Sequence, residues 1–229
     1  MEGHLLYYTG PVKNRDYKTF APGEYYHIYN RGNGKMDIFR DQSDYQFFLS
    51  RLKEYLFPEE QRAPSPGAPL FHKNLRLRKS FPTGSFTLIS YCLMPNHFHF
   101  LIRQNGEIKI SELMLSLIGG YSKYFNKKYK RVGSVFQDQF KSVHIDSNEY
   151  LLWLSAYIHQ NPKVAAMVQN LSKYSYSNYS DCIGLRNEAL CDPSVILEQY
   201  GDRGAYQNFV ESSFGVIKNR KDLEHLLLD

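Results

Sequence analysis

Cysteine is scarce in this chain of 229 residues. Cys92, Cys182 and Cys191 are odd in number and lack the paired spacing of a zinc or redox motif, so they read as reduced thiols of a cytoplasmic protein. No apolar run approaches the roughly 18 residues that a membrane-spanning helix needs, so no membrane partner is expected. The opening stretch MEGHLLYYTGPVKNRD lacks the basic start, apolar middle and cleavage site of a secretory signal. Tryptophan is almost absent, with one residue against 19 tyrosines, and no internal repeat is visible.

What is present points to a folded domain. At 42% hydrophobic and 22% charged, the chain can build a core in one substantial domain or one domain with an appendage. The formal charge of +5 is weak support for an anionic partner. Tyrosines beside Lys and Arg suit stacking on bases and contact with phosphates, while most of them read as ordinary core or boundary residues.

Residues 1–22 read as a polar N-terminal arm. Glu24 to Asn30 alternates and reads as a strand, followed by a turn at Arg31-Gly-Asn-Gly34. Ser43 is placed to cap a helix from Asp44 to Phe57, with Phe47, Phe48, Leu49, Leu52 and Leu56 among its buried positions. Residues 58–84 look inserted, with five of the ten prolines and the basic residues Lys73, Arg76, Arg78 and Lys79. They read as a solvated loop or as a DNA-facing arm. Strands over Ser85–Cys92 and His97–Gln104 flank a turn at Pro95-Asn96. A helix follows over 110–129, begun near Ser111, interrupted by Gly119-Gly120 and basic at its end. A strand is expected from Gly133 through Ile145. A helix capped by Ser147-Asn148 then carries Trp153, Tyr157 and Asn161 up to Pro162. Short helices around 195–200 and 206–214 precede a polar tail. The order strand, helix, strand, strand, helix, strand, helix is that of an α+β, ferredoxin-like split βαβ fold, an antiparallel sheet with helices on one face. The expected division is an arm at 1–22, a catalytic domain at 23–168 and a mostly helical C-terminal extension at 169–229.

The chemistry concentrates in two places. In His97-Phe-His99 the histidines share a strand face, while Phe98, Phe100 and Ile102 face the other way. Two adjacent imidazoles are half of a divalent-metal site, or a chance surface pair. Tyr157 and Asn161 lie one helical turn apart, as a nucleophile and an oxygen ligand or as a boundary aromatic and a helix-ending residue. Joined, they describe Mg²⁺ or Mn²⁺ held by His97, His99 and the Asn161 oxygen, with the Tyr157 phenol attacking a phosphodiester to leave a 5′-phosphotyrosine. No carboxylate cluster of a two-metal nuclease accompanies the histidines. Tyr121 and Tyr124 compete as nucleophiles but are followed four residues on by Phe125 and Lys128, which bring no such ligand.

The segments YHIYNRGNGKMDIFRDQSDYQFFL, SYCLMPNHFHFLI, YSKYFNKKYKRVGSVFQDQFKS and YLLWLSAYIHQNP together resemble the REP-associated tyrosine transposases, within the wider single-strand HUH transposases. The resemblance covers about residues 24–168. It implies that His97 and His99 are the HUH ligands and Tyr157 the nucleophile, with Asn161 in the place of a polar third ligand that is often Gln. It also implies Mg²⁺ or Mn²⁺, single-stranded DNA with a hairpin beside the cleavage site, and a monomer or homodimer. The insertion at 58–84 departs from typical relatives, and the chain after residue 170 matches loosely, with Tyr176-Ser-Asn-Tyr179 standing where relatives often carry a Trp-Ser-Ser-Tyr-like segment. Phosphate candidates are Arg31, Arg40, Lys123, Lys127, Lys128 and Lys141, each also readable as a solvated surface charge. The alternatives are a domesticated DNA-binding protein without transposition, and an HUH nickase of the replication or relaxase type.

Overall fold

The computed structural model describes residues 19–58 and 80–226, with side chains through residue 220. Most of the expected arm, most of the insertion and its four basic residues lie outside the described residues.

Strand β1 (Tyr25–Arg31) leads through a short turn into helix α1 (Gln42–Leu56). Strands β2 (Phe86–Met94) and β3 (His97–Gln104) follow, then helix α2 (Ile110–Lys128), strand β4 (Lys141–Ile145) and helix α3 (Asn148–Val164). The C-terminal extension holds the short helices α4 (Tyr179–Cys182) and α5 (Ser194–Leu197), then α6 (Arg203–Ser212) and α7 (Phe214–Leu226). The sheet is antiparallel in the order β2-β3-β1-β4, which is the split βαβ topology expected from the element order. Among the described residues, no helix is long and apolar enough to cross a membrane.

Alternation in the two central strands sets up two apolar layers. Tyr26, Ile28, Phe98, Phe100 and Ile102 point to one face and pack with Phe48, Leu52, Leu117, Tyr121 and Phe125 of α1 and α2. Leu101, Val143 and Ile145 point to the other and pack under Leu151, Leu154 and Ile158 of α3 and residues of the extension. The helices on one face are thus α1 and α2. The histidine face is covered by α3.

Local differences from the sequence reading have physical causes. Helix α1 is capped by Asp41, not Ser43, because the Asp41 carboxylate accepts from the amides of both Ser43 and Asp44. Phe47 and Leu49 are only half-buried against the core. Helix α2 has no side-chain cap on Lys109, and Gln104 Oε1 takes the Ile110 amide at 3.0 Å instead. It runs unbroken through Gly119-Gly120. Residues 133–140 are not strand: Gly133 adopts φ +91, and Val135 and Phe136 drop into the core. The polar tail continues as α7.

Helix α3 does not stop at Pro162 but runs two residues further, to Val164. Proline has no amide proton to give to the carbonyl four residues back. The Asn161 side chain repairs this, its Nδ2 donating to the carbonyls of Tyr157 at 2.8 Å and Ile158 at 3.3 Å.

The extension is tied to the sheet at the edge strand β2. The Leu93 amide donates to the Tyr176 carbonyl, and Asn178 bridges the Tyr91 amide and the Ile89 carbonyl beside an irregularity between Leu88 and Ser90. His159 of α3 completes the link, with Nε2 3.0 Å from Asn178 Oδ1 and Nδ1 2.9 Å from the Tyr206 hydroxyl.

Burial pushes the His159 pKa down to about 4, against hydrogen bonding to Asn178 and the charge of Asp181, which raise it. The unfolded chain, with an ordinary histidine, takes up this proton first as pH falls. Stability is therefore lost between about pH 6.5 and 4, by on the order of 3 kcal/mol from this group, and is unaffected above that window. Urea denaturation at neutral and acid pH should show that His159→Gln removes this part of the acid sensitivity.

Candidate active site

The turn that opens β3 is held from the side. The Pro95 carbonyl accepts the amides of Ile38 and Phe39 at 2.8 and 2.9 Å, and the Asn96 carbonyl accepts the Gly32 amide at 2.8 Å. Gly32 is required by this packing, because a Cβ there would lie 2.1 Å from the Met36 carbonyl oxygen.

His97 and His99 share the α3 face, ring centroids 5.0 Å apart and planes at 87°. Asn96 Nδ2 donates to the Lys35 carbonyl at 3.3 Å, which turns its Oδ1 to His97 Nδ1 at 2.6 Å. An amide oxygen only accepts, so His97 carries its proton on Nδ1 and the lone pair on Nε2. His99 is buried beneath α3.

Helix α3 brings Tyr157 to the pair. Its half-buried ring meets His99 edge-on at 5.7 Å, and Trp153, one turn earlier, stacks on it at 5.2 Å. Arg220 of α7 lies over Trp153 at 5.0 Å. His97, His99 and Tyr157, remote in sequence, thus meet within one chain. Asn161 is fully buried and joins them through the backbone of Tyr157. Because both its amide contacts are to carbonyls, Nδ2 faces the helix and Oδ1 is the end turned away from it. Among the described residues, no group of three or more His, Cys, Asp or Glu could hold a metal ion. A cation here would need a neutral oxygen such as that of Asn161, together with water or phosphate.

The six candidate cations divide between the two sides of the sheet. Arg31 lies across from His97 in register, and Lys141 lies across from Tyr29, itself across from His99. Both therefore share the histidine face. Arg31 Nε is buried without a hydrogen-bond partner. Arg40 lies over the rings of Phe125 and Tyr129 on the α1/α2 side. Lys123 and Lys127 are exposed on α2. Lys128 differs from the surface cation read from sequence: its ammonium bonds Asp41 and the buried Asp44, each at 2.7 Å. It holds the Asp41 carboxyl well below the usual carboxylate range, and its charge is engaged by these two carboxylates. Tyr121, set aside as a nucleophile, is fully buried, its hydroxyl on the Ile38 carbonyl. Tyr124 bonds Asp44.

Sequence reasoning missed His27 and Asn96. Asn96 directly precedes His97. His27 occupies the position in β1 that alternation sends away from Tyr26 and Ile28, and so toward the histidine face once β1 pairs with β3. Its Nε2 lies 2.9 Å from His99 Nδ1.

Residues 76–161 match the family model described as Transposase IS200 like. The match falls within the stretch, about residues 24–168, over which the sequence resembles the single-strand HUH transposases. The matched IS200-like segment contains both histidines, Tyr157 and Asn161. One solved structure similar to this chain is that of a REP-associated tyrosine transposase bound to a REP hairpin, 13% identical, with a TM-score of 0.49 over 80% of this chain and 98% of that one. Among curated proteins, none matches the chain.

Removing the Lys128 ammonium leaves the Asp44 carboxylate buried without its cation. Lys128→Met should lower the unfolding free energy by about 2–3 kcal/mol in urea denaturation. Lys127→Met, at an exposed position, should change it by less than about 0.5 kcal/mol.

Proposed function

We propose that this chain is a metal-dependent transposase that nicks and rejoins single-stranded DNA beside a hairpin. The observation that carries the reading is the meeting of Tyr157 with the His97–His99 pair, 5.7 Å between the Tyr157 and His99 rings. The IS200-like match over the same residues supports it.

The donors suit Mg²⁺ or Mn²⁺. His97 has its lone pair on Nε2, His99 stands beside it, and the Asn161 oxygen is oriented by the bonds that its amide nitrogen makes. When bound, the ion supplies Lewis-acid stabilisation of charge on the phosphoryl oxygens.

The remaining chemistry belongs to the chain. The Tyr157 phenol oxygen attacks the scissile phosphorus in line with the leaving 3′ oxygen. An Oη–P bond forms and the P–O3′ bond breaks. The phenolic proton is lost to solvent, and the 3′ oxygen takes one up to become a hydroxyl. The DNA is left as a 5′-phosphotyrosine, and no water or nucleotide is consumed. A 3′-hydroxyl can then attack the same phosphorus, restoring a phosphodiester and the free phenol. Trp153 fixes the ring of Tyr157, while Arg31 and Lys141 bring positive charge to the same face.

Tyr157→Phe should abolish the covalent adduct formed with Mn²⁺ and a hairpin-bearing oligonucleotide, seen on denaturing gels, while hairpin affinity stays within about twofold. An undiminished adduct would remove Tyr157 from the role. Arg31→Ala and Lys141→Ala should each weaken binding and reduce the slope of log affinity against log salt by about 0.7 to 1, whereas Lys128→Ala should leave the slope unchanged.

A further inference from the structure

His27 has no part in the reaction just described, yet it lies at its centre. It sits in the middle of β1, buried, where a polar ring is costly unless it is hydrogen-bonded. Its Nε2 is 2.9 Å from Nδ1 of His99, and the two rings stack at 5.1 Å with 22° between planes. Tyr29 stacks against His27 at 4.8 Å, and Tyr157 meets it edge-on at 6.2 Å. These aromatic contacts restrict how the His27 ring can turn.

Only one proton can lie between two ring nitrogens at that distance, so the contact fixes how the two tautomers are related. If the proton sits on His27, the lone pair of His99 is used up on Nδ1 and its Nε2 carries hydrogen. If it sits on His99, Nε2 of His99 has the lone pair. The neighbouring histidine shows which arrangement suits a pair acting together: Asn96 accepts the Nδ1 proton of His97 and leaves the lone pair on Nε2.

We propose that His27 is a positioning residue that accepts the Nδ1 proton of His99 and holds it as the Nδ1–H tautomer with its lone pair on Nε2. Asn96 and His27 then do the same task for the two histidines, one with an amide oxygen and the other with an imidazole nitrogen. Partners of this kind orient a ligating ring and raise its basicity, and their loss typically weakens metal binding about 10–100-fold. The inference rests on the reading that His97 and His99 hold the ion, but the tautomer of His99 can be read without any metal.

The experiment uses the full chain labelled with ¹⁵N, metal-free at about pH 8, where histidines are neutral. Long-range ¹H–¹⁵N spectra should show His99 protonated on Nδ1. His27→Phe keeps a ring and removes the acceptor, and should shift His99 toward the Nε2–H tautomer. His27→Gln, which restores an acceptor oxygen, should retain Nδ1–H. Mn²⁺ titration followed by electron paramagnetic resonance should show about 10–100-fold weaker binding for the Phe variant and recovery to within a few-fold for Gln. A wild-type His99 protonated on Nε2 overturns the proposal, and this measurement stands even if the Phe variant does not fold. A His99 tautomer unchanged in His27→Phe also overturns it. If Mn²⁺ binding is nevertheless lost in that variant, His27 is itself a ligand. A wild-type protein that binds no Mn²⁺ removes the metal reading alone, because the spectra still decide the role of His27.

Discussion

The constraint on which this structure turns is the two-residue period of β3, held between two layers that both exclude water. Phe98, Phe100 and Ile102 must face α1 and α2, which leaves His97, His99 and Leu101 no choice but the α3 side. A slip of one residue would bury the histidines among phenylalanines and expose those phenylalanines to α3. The register of β3 against β1 and β2 is therefore pinned by apolar burial, and the orientation of the site is inherited from it. The clamp on Pro95 and Asn96 fixes where that register begins.

The second layer is less self-sufficient. Strand β2 is an edge of the sheet, and its exposed amides and carbonyls are met by Tyr176 and Asn178 of the extension. Asn178 also bonds His159, and Arg220 lies on Trp153. The extension thus does two things for α3. It seals the sheet edge against which α3 packs, and it backs the aromatic stack that ends in Tyr157.

Much of this was legible in the chain because it depends on periodicity. The order of strands and helices, the limits of β3 and the two faces of His97-Phe-His99 follow from alternation and turn residues. What was not legible depends on contacts between distant segments. That α3 covers the histidines requires knowing where the 148–164 helix returns. That Lys128 is bound by Asp41 and Asp44 requires α1 beside the end of α2. His27 looked like one aromatic among several in an aromatic strand, and only strand pairing brings its nitrogen to His99. Pro162 misled for a local reason: the rule that proline ends a helix assumes an unsatisfied carbonyl, and the Asn161 side chain satisfies it.

That repair has a mechanical consequence. The amide of Asn161 grips the backbone carbonyl of Tyr157 itself. The spacing between the phenol-bearing residue and the amide oxygen is set by a single turn of helix, closed on itself, and owes nothing to how α3 rests on the sheet. If α3 tilts or slides, the two travel as one rigid piece. Only their distance from the histidines changes, so the site has one joint, and it lies between helix and strand.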